Sequence, residues 1–329
     1  MKIAIIGATG LVGKRIIEVL EQREFPVSEL KLFASEKSVG GKLIFKNQEF
    51  EVRPLSEADF SSLDLAFFAV DEKIAKEFVP KAKKHCLVID KSSAFRLEED
   101  VPLVVPEVNP EACLHHKNII ASPNCSTIQL VVVLAPLQKL GKINHIIITS
   151  LQSVSGAGSE AFNQLQYEIE KIAVGDTSLN DNTPLLHPIG ANLIPQIGEI
   201  GKDGYTAEEK KIIFETKKIL NQPNLSITAT CVRVPVFIGH SQAVDITFDH
   251  KISVEEAITI LKKAPGIKVY SGKEYPMPID VVGRDDVLVG RIRRHLENEN
   301  SLSLWIVADN LRKGAATNAV QIAELVLKR

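Results

Sequence analysis

This chain of 329 residues lacks paired cysteines. Cys86, Cys113, Cys125 and Cys231 are widely spaced and form no C-x-x-C motif, which argues against a zinc site and a secreted disulfide framework and leaves four free thiols. Also absent is any excess of charge: 39 Lys and Arg face 41 Asp and Glu, scattered along the chain for a net charge of -2. No basic face argues for nucleic acid, and no like-charged block argues for a tail. No apolar run approaches the ~18 residues that a membrane helix needs. The sequence opens into a strand-like run, Lys2 to Ile6, without a signal-peptide pattern, so a cytoplasmic protein is expected. There are no internal repeats. His115 and His116 are adjacent and point in two directions, a poor arrangement for a metal. What remains is a length sufficient for two domains, 45% hydrophobic residues and a bias toward small-molecule chemistry.

The first third alternates short apolar strands with amphipathic helices: Lys2–Ile6, Leu11–Leu20, Leu30–Ala34, Leu65–Val70, Ile74–Lys83, Leu87–Asp90 and Asn118–Ser122. That rhythm predicts an α/β, doubly wound parallel sheet. Beyond Leu140 the pattern becomes α+β with a mostly antiparallel sheet. Strands are expected at His145–Ser155, Ser226–Val236, Ala243–Phe248 and Ser301–Asp309, and helices near Ala161–Ile172, Ala207–Leu220 and Val254–Lys263. A last helix, Leu311 to Leu327, aligns Ala316, Ala319, Val320, Ala323, Val326 and Leu327 and should return to the first domain. The expected domains are 1–126 with 310–329, and 127–309. Pro and Gly cluster between Thr183 and Gly204, as in an ordered loop or subunit contact.

Directly after the first strand, Gly7-Ala8-Thr9-Gly10-Leu11-Val12-Gly13 opens a helix. Glycines there permit a tight turn and close approach of backbone N–H groups to a pyrophosphate at the helix N-terminus, so a dinucleotide is the expected ligand. The second strand ends before Ser35-Glu36-Lys37-Ser38. An acid suits the ribose hydroxyls of NAD, whereas a cation with hydroxyls suits the 2′-phosphate of NADP. Glu36 and Lys37 leave both open, and the two serines lean toward NADP.

In Ser122-Pro123-Asn124-Cys125-Ser126-Thr127 a cysteine sits between a strand and a helix running from Ile128 to Leu140, with Ser126 and Thr127 as candidate caps. A helix N-terminus favours thiolate and holds a developing oxyanion. The alternative is an inert buried thiol. A thioester route to an aldehyde also needs a proton carrier. His240, at a glycine turn after Val234–Ile238, suits it with an ordinary pKa of ~6.5; otherwise it is an exposed loop histidine. Arg233 lies inside an apolar run and needs an anion, either a substrate carboxylate or a structural partner. Arg96, on a loop after a strand, could hold a phosphate or face solvent.

These motifs, GATGLVG, SSAFR, VPLVVPEVNP, SPNCST, QSVSGAG, NLIPQIG, TCVRVPVFIGHS, VGRDDVLVGRIR and DNLRKGAA, in that order, resemble bacterial aspartate-semialdehyde dehydrogenase over essentially the whole chain. The resemblance implies a Rossmann-type nucleotide domain, a catalytic and dimerisation domain, and an NADP-dependent homodimer. The implied reaction makes L-aspartate 4-semialdehyde from 4-aspartyl phosphate, toward lysine, diaminopimelate, threonine and methionine. It also implies roles: Cys125 as nucleophile, His240 as acid/base, and Gln152 orienting the acyl group. Arg233 would take the substrate carboxylate, Glu208 its ammonium, Arg96 and Lys211 the phosphate with help from Asn124. NADP would meet Thr9, Gly10, Leu11, Val12, Gly13, Lys37, Ser38, Ser155, Gly156 and Asn310; no metal is implied. On local evidence Glu208 and Lys211 would be a solvated helix face. Two departures from the pattern are Ala69-Val70-Asp71-Glu72, which puts a nicotinamide contact there in doubt, and Lys91 before Ser92-Ser93. N-acetyl-glutamyl-phosphate reductase shares the thioester logic, but its substrate has no ammonium for Glu208. A silent NADP-binding relative would not need Cys125, Gln152, Arg233 and His240 together.

Overall fold

The computed structural model describes residues 1–176, 178–179 and 183–327. The chain divides into two compact units, Met1–Asn124 with Ala315–Arg329, and Cys125–Gly314. Residues 310–314 thus fall in the second unit rather than the first. The reason is local: Asn310 bonds Ser155, and Arg312 pairs with Asp285, both within the second unit. Of the expected closing segment, residues 328–329 lie outside the described residues.

The first unit runs β1 (Lys2–Ile6), α1 (Leu11–Gln22), β2 (Glu29–Ala34), β3 (Lys42–Phe45), β4 (Gln48–Pro54), β5 (Leu65–Phe68), α2 (Glu72–Ala82), β6 (Leu87–Asp90) and β7 (Ile119–Ala121). Its seven strands lie in the order β3-β4-β2-β1-β5-β6-β7. All neighbours are parallel except β3 with β4. Continuous apolar strands such as Ile3-Ala4-Ile5-Ile6 are buried on both faces, as parallel sheets require. The β3–β4 hairpin escaped the sequence reading; its two-residue turn places Lys46 and Asn47 at φ 49° and 61°, the left-handed geometry of a tight hairpin. Helix α1 buries Ile16, Ile17, Val19 and Leu20 in one core with Ala319, Val320 and Ala323 of the C-terminal helix Thr317–Leu327. That helix is shorter than expected, because Arg312–Ala316 forms a π-helical turn before it.

The second unit contains α3 (Cys125–Leu137), β8 (Ile143–Gln152), α4 (Ser159–Ala173), α5 (Ala207–Ile219), β9 (Ser226–Arg233), β10 (His240–Phe248), α6 (Val254–Lys263), β11 (Ile267–Val269), β12 (Val287–Arg294) and β13 (Ser301–Ala308). The sheet order is β11-β12-β13-β10-β8-β9. The three central pairings are antiparallel, and β8–β9 and β11–β12 are parallel. Strand β12 was not expected; Gly290 and a register shift before Arg293 interrupt its alternation. Helix α3 is apolar almost all round because it lies on β12 and β13 with α5 and α6 beside it. The Thr183–Gly204 stretch is tied down: Glu168 accepts from the amides of Ile189 and Gly190, and Ile194 bridges to Arg233.

Candidate active site

In the first unit, strand order reverses at β1, whose neighbours are β2 on one side and β5 on the other. Open α/β sheets bind ligands beyond the strand ends at such a point. The glycine loop sits there. Gly7 has φ +84°, and a side chain on it would run into the carbonyl of Ala69; one on Gly13 would run into Gly7 itself. Gly10 differs, since an added Cβ meets only the Gly7 carbonyl at an ordinary 3.4 Å. Gly10 is also the N-cap of α1 and supplies no side-chain cap, and the first turn, Leu11, Val12 and Gly13, carries no acid. The unsatisfied first-turn amides of α1 therefore fit a pyrophosphate. Thr9 Oγ1 donates to Ser38 Oγ at 3.2 Å, which joins the loop to the turn containing Lys37. Glu36 is turned toward Ser56, whose hydroxyl donates to it at 3.1 Å. At Ala69-Val70-Asp71-Glu72 the chain caps α2, Asp71 accepting from the amide of Ile74.

Arg96 is buried, and its side chain is spent partly on backbone: Nε donates to Ser122 O at 3.1 Å and Nη2 to Lys91 O at 2.7 Å. Lys91 in turn reaches Pro123 O at 3.1 Å, so it points at the chain leading to Asn124 instead of at solvent. This loop is held from below by the buried Asp90, which accepts from both the amide and the hydroxyl of Ser92.

The second unit holds the rest. Cys125 is the first residue of α3; Ser126 and Thr127, expected as caps, lie inside its first turn. Cys86, Cys113 and Cys231 are buried, whereas Cys125 is partly accessible. Burial pushes the Cys86 thiol up to about 11, and burial beside Glu208 and Glu209 raises Cys231 further, so neither suits a thiolate nucleophile. Gly314, in the π-helical turn, lets backbone pass close over Cys125: a Cβ on it would stand 2.9 Å from Cys125 Cβ.

Helix α5 carries Glu208 and Lys211. A capping box between Thr206 and Glu209 fixes its start, and Glu209 also accepts from the amide of Cys231 on β9 at 3.0 Å. Glu208 is therefore buried, not solvated; it accepts from Gln152 Nε2 at 3.3 Å and pairs with Lys211 at 3.3 Å. Arg233, at the end of β9, is buried within electrostatic reach of Glu208, Cys125 and Cys231; burial lowers its pKa and those three groups oppose the shift. Its Nη1 donates to Ser153 O at 2.8 Å.

His240 opens β10 and is 0% exposed, so it is no loop histidine. Its pKa is held well below 6.5, by burial first and then by the Arg233 charge, which corrects the expectation of an ordinary value. Nδ1 lies 3.1 Å from the amide of Ser153 and 3.0 Å from its hydroxyl. Nε2 is buried without a hydrogen-bond partner among the described residues. The unpartnered nitrogen lies by Gly156, where a Cβ would come within 3.1 Å of both Nε2 and Arg233 Nη1. Asn310 Oδ1 accepts from the Gly239 amide at 2.9 Å and from Ser153 Oγ at 3.1 Å, while Nδ2 donates to Ser155 Oγ at 3.0 Å. One residue that the sequence did not single out is thus the hub: Ser153 offers its amide and hydroxyl to His240 and its carbonyl to Arg233. The only sequence signal was its place between Gln152 and the Ser155–Gly156 turn.

Residues 2–116 match the family described as semialdehyde dehydrogenase, NAD binding domain, and residues 134–313 the one described as semialdehyde dehydrogenase, dimerisation domain. The chain is 48% identical to aspartate-semialdehyde dehydrogenase of Aquifex aeolicus, over 99% of this chain and 98% of that protein. Among solved structures it is similar to aspartate semialdehyde dehydrogenase II of Vibrio cholerae complexed with ASA, with TM-score 0.97 and 43% identity over 99% of this chain and 98% of that one. A more distant match, at TM-score 0.74 and 26% identity over 99% and 98% of the chains, is the Candida albicans enzyme with NADP. With a glycine loop, a helix-terminal cysteine and a buried arginine–histidine pair all in place, the chain belongs to the aspartate-semialdehyde dehydrogenases.

Proposed function

We propose that this protein reduces L-4-aspartyl phosphate to L-aspartate 4-semialdehyde, with release of phosphate, through a thioester on Cys125. The observation that carries this reading is the grouping in one unit of a partly accessible cysteine at a helix N-terminus with Arg233, Glu208, Gln152 and His240. The Cys125 thiolate attacks the acyl phosphate carbon, the C–O bond to phosphate breaks, and first-turn amides of α3 hold the oxyanion. Arg233 takes the α-carboxylate, Glu208 the ammonium, and Gln152 the acyl oxygen. Arg96, Lys211 and Asn124 serve the leaving phosphate. NADPH, when bound, supplies the hydride that turns the thioester into the aldehyde level of oxidation. His240 gives the oxygen its proton and takes it back as the C–S bond breaks, releasing aldehyde and restoring the thiolate.

The nucleotide is assigned to Thr9, Gly10, Leu11, Val12, Gly13, Lys37 and Ser38, and to Ser155, Gly156 and Asn310. Support for NADP over NAD is the Thr9–Ser38 contact beside Lys37, with Glu36 turned to Ser56. The product lies on the route to lysine, diaminopimelate, threonine, isoleucine and methionine. The active form is a cytoplasmic homodimer in this reading. Support for pairing is the open face of the second sheet, where Tyr275, Met277, Arg291 and Trp305 line a hollow of about 380 Å³. No described helix is long and apolar enough to cross a membrane.

The test is NADP reduction by the purified protein with L-aspartate 4-semialdehyde, with and without phosphate, beside NAD. Activity should require phosphate and favour NADP, and Cys125→Ala should lower it by at least about 10³-fold. Activity untouched in that variant would end the reading.

A further inference from the structure

Strand β9 ends the order of the second sheet, which leaves one of its edges without a neighbouring strand among the described residues. That edge is closed from elsewhere. Arg233 exchanges both backbone hydrogen bonds with Ile194, at 2.8 and 3.0 Å, and the Cys231 amide donates to Glu209 Oε1 at 3.0 Å. The other oxygen of that carboxylate, Oε2, accepts from the Thr206 amide at 2.7 Å, where it closes the capping box of α5. Glu209 is 7% exposed, and both oxygens meet backbone N–H groups, which only donate. One buried side chain thus ties the first turn of the helix to the edge of the strand.

What it joins is the frame of a cavity. The segment from Ile194 to Glu199 runs from β9 to α5. It starts at the Ile194–Arg233 bridge, and further along the carbonyls of Ile197 and Glu199 accept from the amides of Glu208 and Ala207, at 3.4 and 2.9 Å. Gly198, at φ +78°, lets the segment lie against the helix, for a Cβ there would stand 3.1 Å from Ala207 Cβ. A hollow of about 400 Å³ lies along this segment, with Arg233 in its wall. Glu208 precedes Glu209 on α5, and Arg233 follows Cys231 by two residues on β9, so the Glu209–Cys231 link stands next to both.

We propose that Glu209 is a positioning residue that sets the spacing between Arg233 and Glu208, and with it the preference of the site for an aldehyde carrying both an α-carboxylate and an α-ammonium. The two groups share one carbon, so ligands of opposite charge on a strand and a helix take both only when the two elements keep a matching separation. Without the link, Arg233 still anchors the carboxylate while Glu208 no longer meets the ammonium. Glu209 acts through backbone and touches no substrate, and its part rests on the roles given above to Arg233 and Glu208. Helix capping alone is a separate matter: the Thr206 hydroxyl accepts from the Glu209 amide at 3.3 Å and does not reach β9.

The test uses the full-length enzyme, assayed for phosphate-dependent oxidation of L-aspartate 4-semialdehyde and of succinate semialdehyde, the same chain without the ammonium. Glu209→Gln keeps the shape but turns an NH2 group toward one of the two backbone donors. It should raise KM for the amino aldehyde about 10-fold with kcat within about 3-fold, and leave KM for succinate semialdehyde nearly unchanged, so the preference between them falls about 10-fold. Thr206→Ala, which loosens the cap and leaves the Cys231 contact, should keep the preference. If Glu209→Gln does not fold, Glu209→Asp, one methylene short for the same span, takes its place with the same expectation. An unchanged preference, a KM rise equal for both aldehydes, or an equal loss of preference in Thr206→Ala would overturn the proposal. Glu208→Gln separates it from the reading beneath. A preference kept in that variant would end the ammonium assignment and this proposal with it, whereas one lost there and kept in Glu209→Gln would end this proposal alone.

Discussion

The first unit makes its ligand loop from consecutive residues, Gly7 to Gly13, and mostly from backbone. The second makes its site from side chains at positions 125, 152, 153, 208, 233, 240 and 310, nearly all buried. The difference shows where specificity can be stored. A backbone cradle depends on how closely its amides can be approached, so its glycines are tested by volume. A buried polar cluster depends on each donor meeting its acceptor, so its members are tested by protonation and hydrogen bonding.

Volume can be applied to both units. Gly314→Ala in the second should force Cys125 aside, because the new Cβ would stand 2.9 Å from Cys125 Cβ. We expect a loss of about 10²-fold in kcat, since an ångström of misplacement at a nucleophile costs that much. NADP binding, measured by fluorescence titration, should stay near wild type. Equal damage to both would break the contrast between the units. In the first unit the contrast is internal. Gly13→Ala crowds the Gly7 backbone and should lower stability by about 1–3 kcal/mol in denaturant unfolding. Gly10→Ala has room in the fold, so it should keep stability while weakening NADP.

Protonation separates the units by a smaller effect. His240 has a lowered pKa when folded, so the unfolded chain binds more protons between that value and ~6.5, and stability must rise with pH across this window. The contribution is complete above ~6.5 and is lost as pH falls toward the folded pKa, with a slope of at most about 1.4 kcal/mol per pH unit. His240→Gln should flatten the lower part of the stability–pH curve by that amount. An unchanged slope would mean that the ring is not held neutral.

Much of this was legible in the sequence, for reasons that differ by element. Strand β1 and helix α6 appear at the ends expected, because an uninterrupted apolar run and a Ser253 capping signal both fix boundaries locally. The glycine loop was legible as a tight turn because sterics confine Gly7 and Gly13 to glycine between a strand and a helix. Cys125 stood out because it falls between a strand and a helix, and Arg233 because a cation lies inside an apolar run. The β3–β4 hairpin and β12 were not legible, since Lys46-Asn47 is a weak turn signal and Gly290 interrupts an alternating strand. Ser153 was not legible either. A serine after a strand is ordinary, and its role appears only when residues 87 and 157 positions away supply its partners. His240 was singled out as an ordinary or exposed histidine, and its buried environment was not legible, because nothing local announces that β10 begins inside the core.

The measurement that bears most directly on the thioester claim is a single turnover with L-aspartate 4-semialdehyde and NADP in the absence of phosphate, followed by peptide mass mapping. One equivalent of NADPH should form in a burst, and the aspartyl mass should be carried on Cys125 until phosphate is added. A burst with no adduct, or an adduct on Cys86, Cys113 or Cys231, would contradict it.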